Sequence, residues 1–316
     1  MSRDAALMES PHPPRVSAGT NLQVWAPLIS LWLLWGSTYL AIAVVGETFA
    51  PLLASGVRFL LAAAILGTIM VAVKGPSVLR ITLTELAYSA LMGVMLLAVG
   101  IGTISLAEQY VPTGIAALIV SVNALWIVLL RMRAGDRPAR LTLAGVAIGL
   151  IGLGVMLLPG GTEPKAGTDA NVVFWTAAIL VSSFSWAYFS FRSTGYTLPR
   201  NALTTTFYEL VAGGFALLGF GALHGDRFDL AAVDSSAWFS LGWLVLASII
   251  GYSSYSWLLN KAPLSLLSTY TYVNPVVAVF LGWLILGEPL SRDVIIGLTV
   301  VLGSVILVIN GERRNR

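Results

Sequence analysis

The chain has no cysteine and only two histidines, His12 and His224, in 316 residues. The missing cysteine excludes disulfides, thiol nucleophiles and cysteine-held metals, and it leaves the redox compartment unreadable. Neither histidine falls within an apolar stretch, so an imidazole proton relay inside the fold is excluded as well. Charge is equally scarce, with 18 Lys and Arg, 15 Asp and Glu, and 10% charged residues altogether. A water-soluble globule this apolar cannot solvate its surface with so few ions. There is no HExxH and no Walker loop, which argues against an enzyme, a metal centre, a cofactor and a nucleotide-driven pump. The basic residues are scattered over short loops without interleaved aromatics, which argues against nucleic acid as a partner.

What is present is hydrocarbon. Hydrophobic residues make up 57% of the chain, and the mean hydropathy is +0.85. Ten apolar stretches stand out, at 25–46, 50–73, 84–106, 113–132, 141–158, 172–193, 202–223, 236–259, 264–286 and 293–310. A bilayer core of ~30 Å needs ~20 apolar residues per helix. The expected fold is therefore an all-α polytopic membrane protein with ten transmembrane helices. The breaks between stretches carry Pro and Gly, as at Lys74-Gly75-Pro76 and Pro159-Gly160-Gly161. Residues 1–24 are polar, contain Pro11-His12-Pro13-Pro14 and lack a signal-peptide layout, so they read as a disordered cytosolic tail; residues 311–316 form a second tail.

Orientation follows from the Lys/Arg distribution in alternate loops. With the N-terminus inside, fourteen of the eighteen basic residues fall in inner segments and three in outer loops. The remaining one, Arg58, lies within a span. This predicts a multi-pass inner (plasma) membrane protein with both termini in the cytosol.

A shift of 151 residues lays the second half on the first. Trp35 falls on Trp186, Gly100 on Gly251, Ser105 on Ser256, Pro112 on Pro263 and Asn123 on Asn274. Residues 25–158 and 172–310 thus read as two five-helix repeats joined by a linker at 159–171. Five spans is an odd number, so the repeats enter the membrane in opposite directions. Inverted repeats with a midplane site between them are a hallmark of secondary transporters. Duplication kept only for packing is the plainer alternative.

Two formal charges lie inside the spans, Arg58 and Glu209, and the same shift superposes them. Their depths differ by ~8 Å along the membrane normal, at 1.5 Å per residue in a ~30 Å core. Charges in hydrocarbon normally face a bundle interior or a wet cavity. Glu209 reads as a carboxylate for a proton or a cationic substrate, with Arg58 tuning it; a buried ion pair that merely fixes packing is the alternative. Asn123 and Asn274 lie near the bilayer centre, and Pro275 removes the backbone N–H that would cap the carbonyl of Thr271. Amides and a free carbonyl at that depth suit ligand coordination, whereas an interhelical hydrogen bond is the ordinary use of a membrane asparagine.

Tyr39, Trp186, Tyr252, Tyr255 and Tyr270 lie too deep for an interfacial belt and suit the walls of a cavity for a small organic molecule, with core packing as the alternative. Glu108, at the outer end of the third span, is either a solvated rim residue or an outer gate. Gly145-x-x-x-Gly149 permits close helix approach, within one molecule or across a dimer. The chain reads as a monomer or a homodimer.

The strings LWGSTYLAI at 33–41, GVRFLLAAAIL at 56–66, AEQYVPTGIAALIV at 107–120, SSFSWAY at 182–188, TYTYVNPVVAVFLG at 269–282 and LGEPLS at 286–291 carry a resemblance. Over about residues 25–310 the chain resembles the EamA-type permeases of the drug/metabolite transporter superfamily, in their YedA-like exporter subgroup. The resemblance implies export of a small metabolite, amino acid or drug through a central cavity by alternating access, with protons as a frequent coupling ion. Arg58, Glu108, Glu209, Asn274 and Pro275 lie in the motif strings or in the matching YELVAGG segment. Ala124 stands where a proline is usual, so the two half-sites need not be alike. The function expected is a secondary active exporter of a small organic solute; a facilitator or channel without ion coupling is the alternative.

Overall fold

The computed structural model describes residues 22–111, 116, 119–157, 169–229, 233–286 and 292–314. Most of the expected N-terminal tail, residues 159–168 of the expected linker, Pro112 and the Gly287–Ser291 part of LGEPLS lie outside the described residues. Every described element is helical, as backbone groups in lipid require when no water can satisfy them. The helices are α1 (Leu22–Thr48), α2 (Pro51–Lys74), α3 (Leu83–Ala107), α4 (Asn123–Arg133), α5 (Arg140–Leu157), α6 (Asp169–Arg192), α7 (Ala202–His224), α8 (Ser235–Leu259), α9 (Tyr270–Leu286) and α10 (Arg292–Arg314). Most coincide with the apolar stretches to within a few residues; α4 and α9 begin ten and six residues later than the expected 113 and 264. Six of them, α1, α2, α3, α6, α7 and α8, are long and apolar enough to cross a bilayer by length and composition. Leu33, Ile69, Phe215, Phe239, Leu284 and Ile306 are exposed on the outside, where only lipid makes them tolerable.

Local chemistry explains where the helices stop. Pro51 occupies the first turn of α2, where its missing N–H costs nothing. Gly75 ends that helix at φ 78°, a conformation a side chain would strain. Thr82 and Glu85 form a reciprocal cap on α3, and Asp234 caps α8 by accepting from the Ala237 amide at 2.7 Å. Gly225 closes α7 at φ 92°.

Glycines decide which helices touch. Gly145 and Gly149 of α5 lie against Ser304 and Val308 of α10, so this small-residue face is used within the molecule. Gly56 and Gly214 bring α2 onto α7, and Gly36 brings α1 onto Val277 of α9. Between Gly93 and Ile101, α3 widens into π-helix. Such widened turns often mark functional positions, and here Gly93 rests on the backbone of Glu209. Across the halves, α1 packs on α8 and α9, α6 packs on α3 and α4, α2 packs on α7 and α8, α7 packs on α3, and α5 packs on α10.

Candidate functional site

A cavity of about 280 Å³ lies where α1 ends, α2 begins and α3 ends. Its apolar walls include Ile42, Val45, Ala54 and Leu244. Its polar lining comprises Glu47, Ser55, Arg58, Ser105, Glu108 and Gln109. Arg58 is only 2% exposed. Its Nε donates to the Ser248 hydroxyl at 2.8 Å, and the guanidinium carbon lies 4.6 Å from the Phe59 ring centroid. Its Nη1 is buried without a hydrogen-bond partner. Beside it, the hydroxyls of Ser55 and Ser105 are 3.2 Å apart. Glu108 is buried in this cavity rather than solvated at a rim, which removes the rim reading.

Glu209 is 4% exposed and points inward. Its Oε2 accepts from the Ser256 hydroxyl at 3.0 Å, and Ser256 accepts from Thr206 at 3.0 Å. Arg58 and Glu209 form no ion pair among the described residues. Tyr252 lies within electrostatic reach of both. An uncompensated charge in a dry interior is costly, so two formal charges held apart this way serve something other than each other.

Tyr252 belongs to a ring cluster centred on Trp35. Trp35 touches Trp186, Tyr252, Tyr255 and Tyr270, with ring centroids 5.9, 5.0, 5.4 and 4.9 Å away. Trp186 Nε1 donates to the Tyr255 hydroxyl at 2.8 Å, and Ser190 shares that hydroxyl at 2.6 Å. The expected wall residues Tyr39, Trp186, Tyr252, Tyr255 and Tyr270 are not among this cavity's lining; the last four pack on Trp35. Tyr39 lies within reach of Glu108 and of Tyr270. The physical reason is that large rings stack edge to face in preference to leaving voids.

Asn123 and Asn274 are both buried. Asn123 donates through Nδ2 to the Tyr270 hydroxyl at 3.3 Å, while Oδ1 of Asn123 and of Asn274 have no partner. The carbonyl of Thr271 is not free: Ser121 of the neighbouring segment donates to it at 3.0 Å. Pro275 does sit within α9, and a hydroxyl compensates the bond it removes.

The contacts recur under the shift of 151 residues. Trp35 covers Gly251, and its counterpart Trp186 covers Gly100. Ser55 meets Ser105, and their counterparts Thr206 and Ser256 meet likewise. Leu218 lies on Gly56, and Phe207 lies on Gly67. The hydroxyl pairs beside each charge escaped the sequence reading. Ser55 and Thr206 each precede the charged residue by three positions, on the same helix face, which was the available signal. The equivalence ends at the two mouths. At the end opposite the cavity, Tyr208 donates to the Leu79 carbonyl at 2.7 Å and Thr204 to the Val78 carbonyl at 3.0 Å. Tyr88 stacks on Tyr196 there at 4.6 Å. Burial, partly opposed by Arg192, raises the Tyr196 phenol above its usual range and keeps it neutral.

A helical fold with long apolar spans, a cavity lined by Arg58 and two carboxylates, and a second buried charge at Glu209 fits a membrane transporter. The chain belongs to the EamA-like transporter family, whose sequence profile matches residues 25–158 and again 173–310. It is 36% identical over 294 residues, 92% of each chain, to a protein of Escherichia coli K12 named uncharacterized inner membrane transporter YedA. It is 27% identical over 283 residues to protein PecM of Dickeya dadantii, covering 87% of this chain and 88% of that one. One solved crystal structure, 20% identical, matches with a TM-score of 0.74 over 92% of this chain and 98% of the other. At that identity the match speaks for the fold alone.

Proposed function

We propose that this transporter is a secondary active exporter of a small organic solute, built from two oppositely oriented five-helix repeats that open alternately. The observation that carries the reading is the set of exchanged contacts, above all Trp35 on Gly251 against Trp186 on Gly100, combined with a cavity at the Glu47–Pro51 end. Two halves that make the same contacts in opposite senses are able to trade conformations, so that one mouth closes as the other opens. The described state is open at the Glu47–Pro51 end, which the Lys/Arg distribution assigns to the outside. By the same distribution both termini face the cytosol, and the location is the inner membrane, as the name of the Escherichia coli relative suggests.

Glu209 is the coupling carboxylate in this reading. It is buried and holds one hydroxyl partner, so a proton or a cationic group is the natural second one. The molecule works as a monomer, because its most prominent small-residue face is spent on α10.

The absence of cysteine makes the test clean. Single Ala54→Cys and Thr205→Cys substitutions place reporters at counterpart positions, the first lining the cavity and the second buried. In proteoliposomes, saturable counterflow is expected. A membrane-impermeant maleimide is expected to label the two proteins reciprocally as substrate is added. Labelling that rises or falls together at both positions refutes alternation, and flux that never saturates refutes a carrier.

A further inference from the structure

Each buried charge is held by one hydroxyl, and the two hydroxyls stand at positions that are not counterparts. Ser248 accepts from Arg58 and Ser256 donates to Glu209. The shift of 151 residues lays Ser256 on Ser105, but Ser248 on Leu97. On the alternation proposed above, we infer that opening the other mouth moves Arg58 from Ser248 to Ser105 and takes Glu209 away from Ser256. The carboxylate is then left opposite Leu97 without a donor. Ser105, Ser248 and Ser256 are positioning residues that set which mouth is open.

Halves that trade conformations turn every contact into the one between its counterparts. The 3.0 Å bond between Ser256 and Glu209 becomes a bond between Ser105 and Arg58. The 2.8 Å bond between Arg58 and Ser248 becomes an approach of Glu209 to Leu97, whose side chain has no hydrogen-bonding atom. The hydroxyl pairs Ser55–Ser105 and Thr206–Ser256 map onto each other, so both persist and cancel between the states.

Local geometry is ready for the exchange. Ser105 lines the same cavity as Arg58, and Nη1 of the guanidinium is buried without a partner. Leu97 lies on Gly213, one turn of α7 from Glu209. A hydroxyl has one proton and two lone pairs, so Ser105 can give its proton to Ser55 and accept from Arg58. In the other half the order is reversed: Thr206 donates to Ser256, and Ser256 donates to the carboxylate. Each hydroxyl pair has a polarity suited to the sign of its charge. The two exchanges are unequal, however. Arg58 trades one hydroxyl for another, whereas Glu209 gives up its donor and gains none. A buried carboxylate without a donor is costly. The empty protein therefore rests in the described state, and the other needs a partner brought to Glu209 through the opened mouth.

The test uses purified full-length protein in detergent without added solute, carrying the Thr205→Cys reporter. Its rate of reaction with maleimide reads the population of the other state. Ser248→Ala and Ser256→Ala each remove a bond that only the described state has. Each should speed labelling about ten- to a hundredfold, as expected for one hydrogen bond to a charged group. Ser105→Ala removes a bond that only the other state has, and it should slow labelling by a similar factor. Serines that merely fix packing would all shift the rate the same way. The Ser105→Ala effect should vanish in an Arg58→Met background and shrink with Arg58→Lys, which keeps the charge without the fork. Should Arg58→Met not fold, Arg58→Lys carries that arm. Labelling that rises in all three serine variants, an unchanged rate in Ser105→Ala, or a Ser105→Ala effect indifferent to Arg58 overturns the inference. Failure of alternation itself looks different: Tyr208→Phe, which weakens the contact with Leu79, then moves the Ala54→Cys and Thr205→Cys reporters in the same sense. Opposite movement there, with the wrong signs in the serine variants, keeps alternation and removes the switch.

Discussion

In the proposed alternation, the end opposite the cavity is held shut by contacts whose removal has a calculable effect on the opening equilibrium. Tyr208 and Thr204, in the first two turns of α7, donate to the carbonyls of Leu79 and Val78 at 2.7 and 3.0 Å. Tyr208→Phe with Thr204→Val deletes both donors and keeps nearly the same shape. A partly exposed hydrogen bond is worth ~0.5–1.5 kcal/mol net, so the pair stabilises the closed mouth by ~1–3 kcal/mol. If these bonds exist only while that mouth is shut, the whole amount shifts the equilibrium, by ~5–150-fold. The Thr205→Cys reporter should then react faster with maleimide by up to that factor, and the Ala54→Cys reporter more slowly. The single variants should each give about the square root of the double effect, because the two bonds are to different carbonyls. Unchanged labelling at both positions in the double variant would refute the view that this end opens by separating α7 from residues 75–82. Faster labelling at both would mean the variant has loosened the fold instead.

Three further outcomes are expected. Glu209→Gln should insert and elute normally yet lose accumulation driven by a proton gradient, measured as flux with and without an imposed pH difference; retained coupling would remove Glu209 from the proton path. Gly145→Leu places side chain where Ser304 and the Val308 amide lie, within 3 Å of an added Cβ. It should lower the melting temperature at a cost of ~1–3 kcal/mol or more, with no change in the mass of the eluting species; a change in mass instead would make that face an intermolecular one. Gly251→Ala and Gly100→Ala bring a Cβ onto the Trp35 indole and to 2.8 Å from Trp186. Both should slow counterflow, the first more, because an indole in the aromatic cluster has little room to withdraw.

Helix positions were legible in the sequence because hydrocarbon runs of that length have one use in a cell, and the caps at Thr82, Asp234 and Gly225 are local chemistry. The burial of Arg58 and Glu209 was legible for a similar reason, since a charge in a span has few places to go. What could not be seen was distance. Rise per residue places the two charges at different depths but says nothing of helix rotation, and rotation turned Arg58 to Ser248 and Glu209 to Ser256. The free carbonyl expected at Thr271 failed because Ser121 comes from another helix, and periodicity is blind to that. Trp186, Tyr252, Tyr255 and Tyr270 are buried aromatics that pack on Trp35, and a sequence does not say which conformational state its rings are closing.

Four of the five rings at the centre belong to α6, α8 and α9, and the fifth, Trp35, belongs to α1. The first half reaches the hub through that indole, seated against Gly251, with Phe59 against the Tyr252 ring and Asn123 on the Tyr270 hydroxyl beside it. The indole is thus a ball in a socket set within a broader seam between the halves. A side chain that fills a glycine notch has little freedom to yield, so substitutions of Trp35 should set turnover more sharply than any on the periphery.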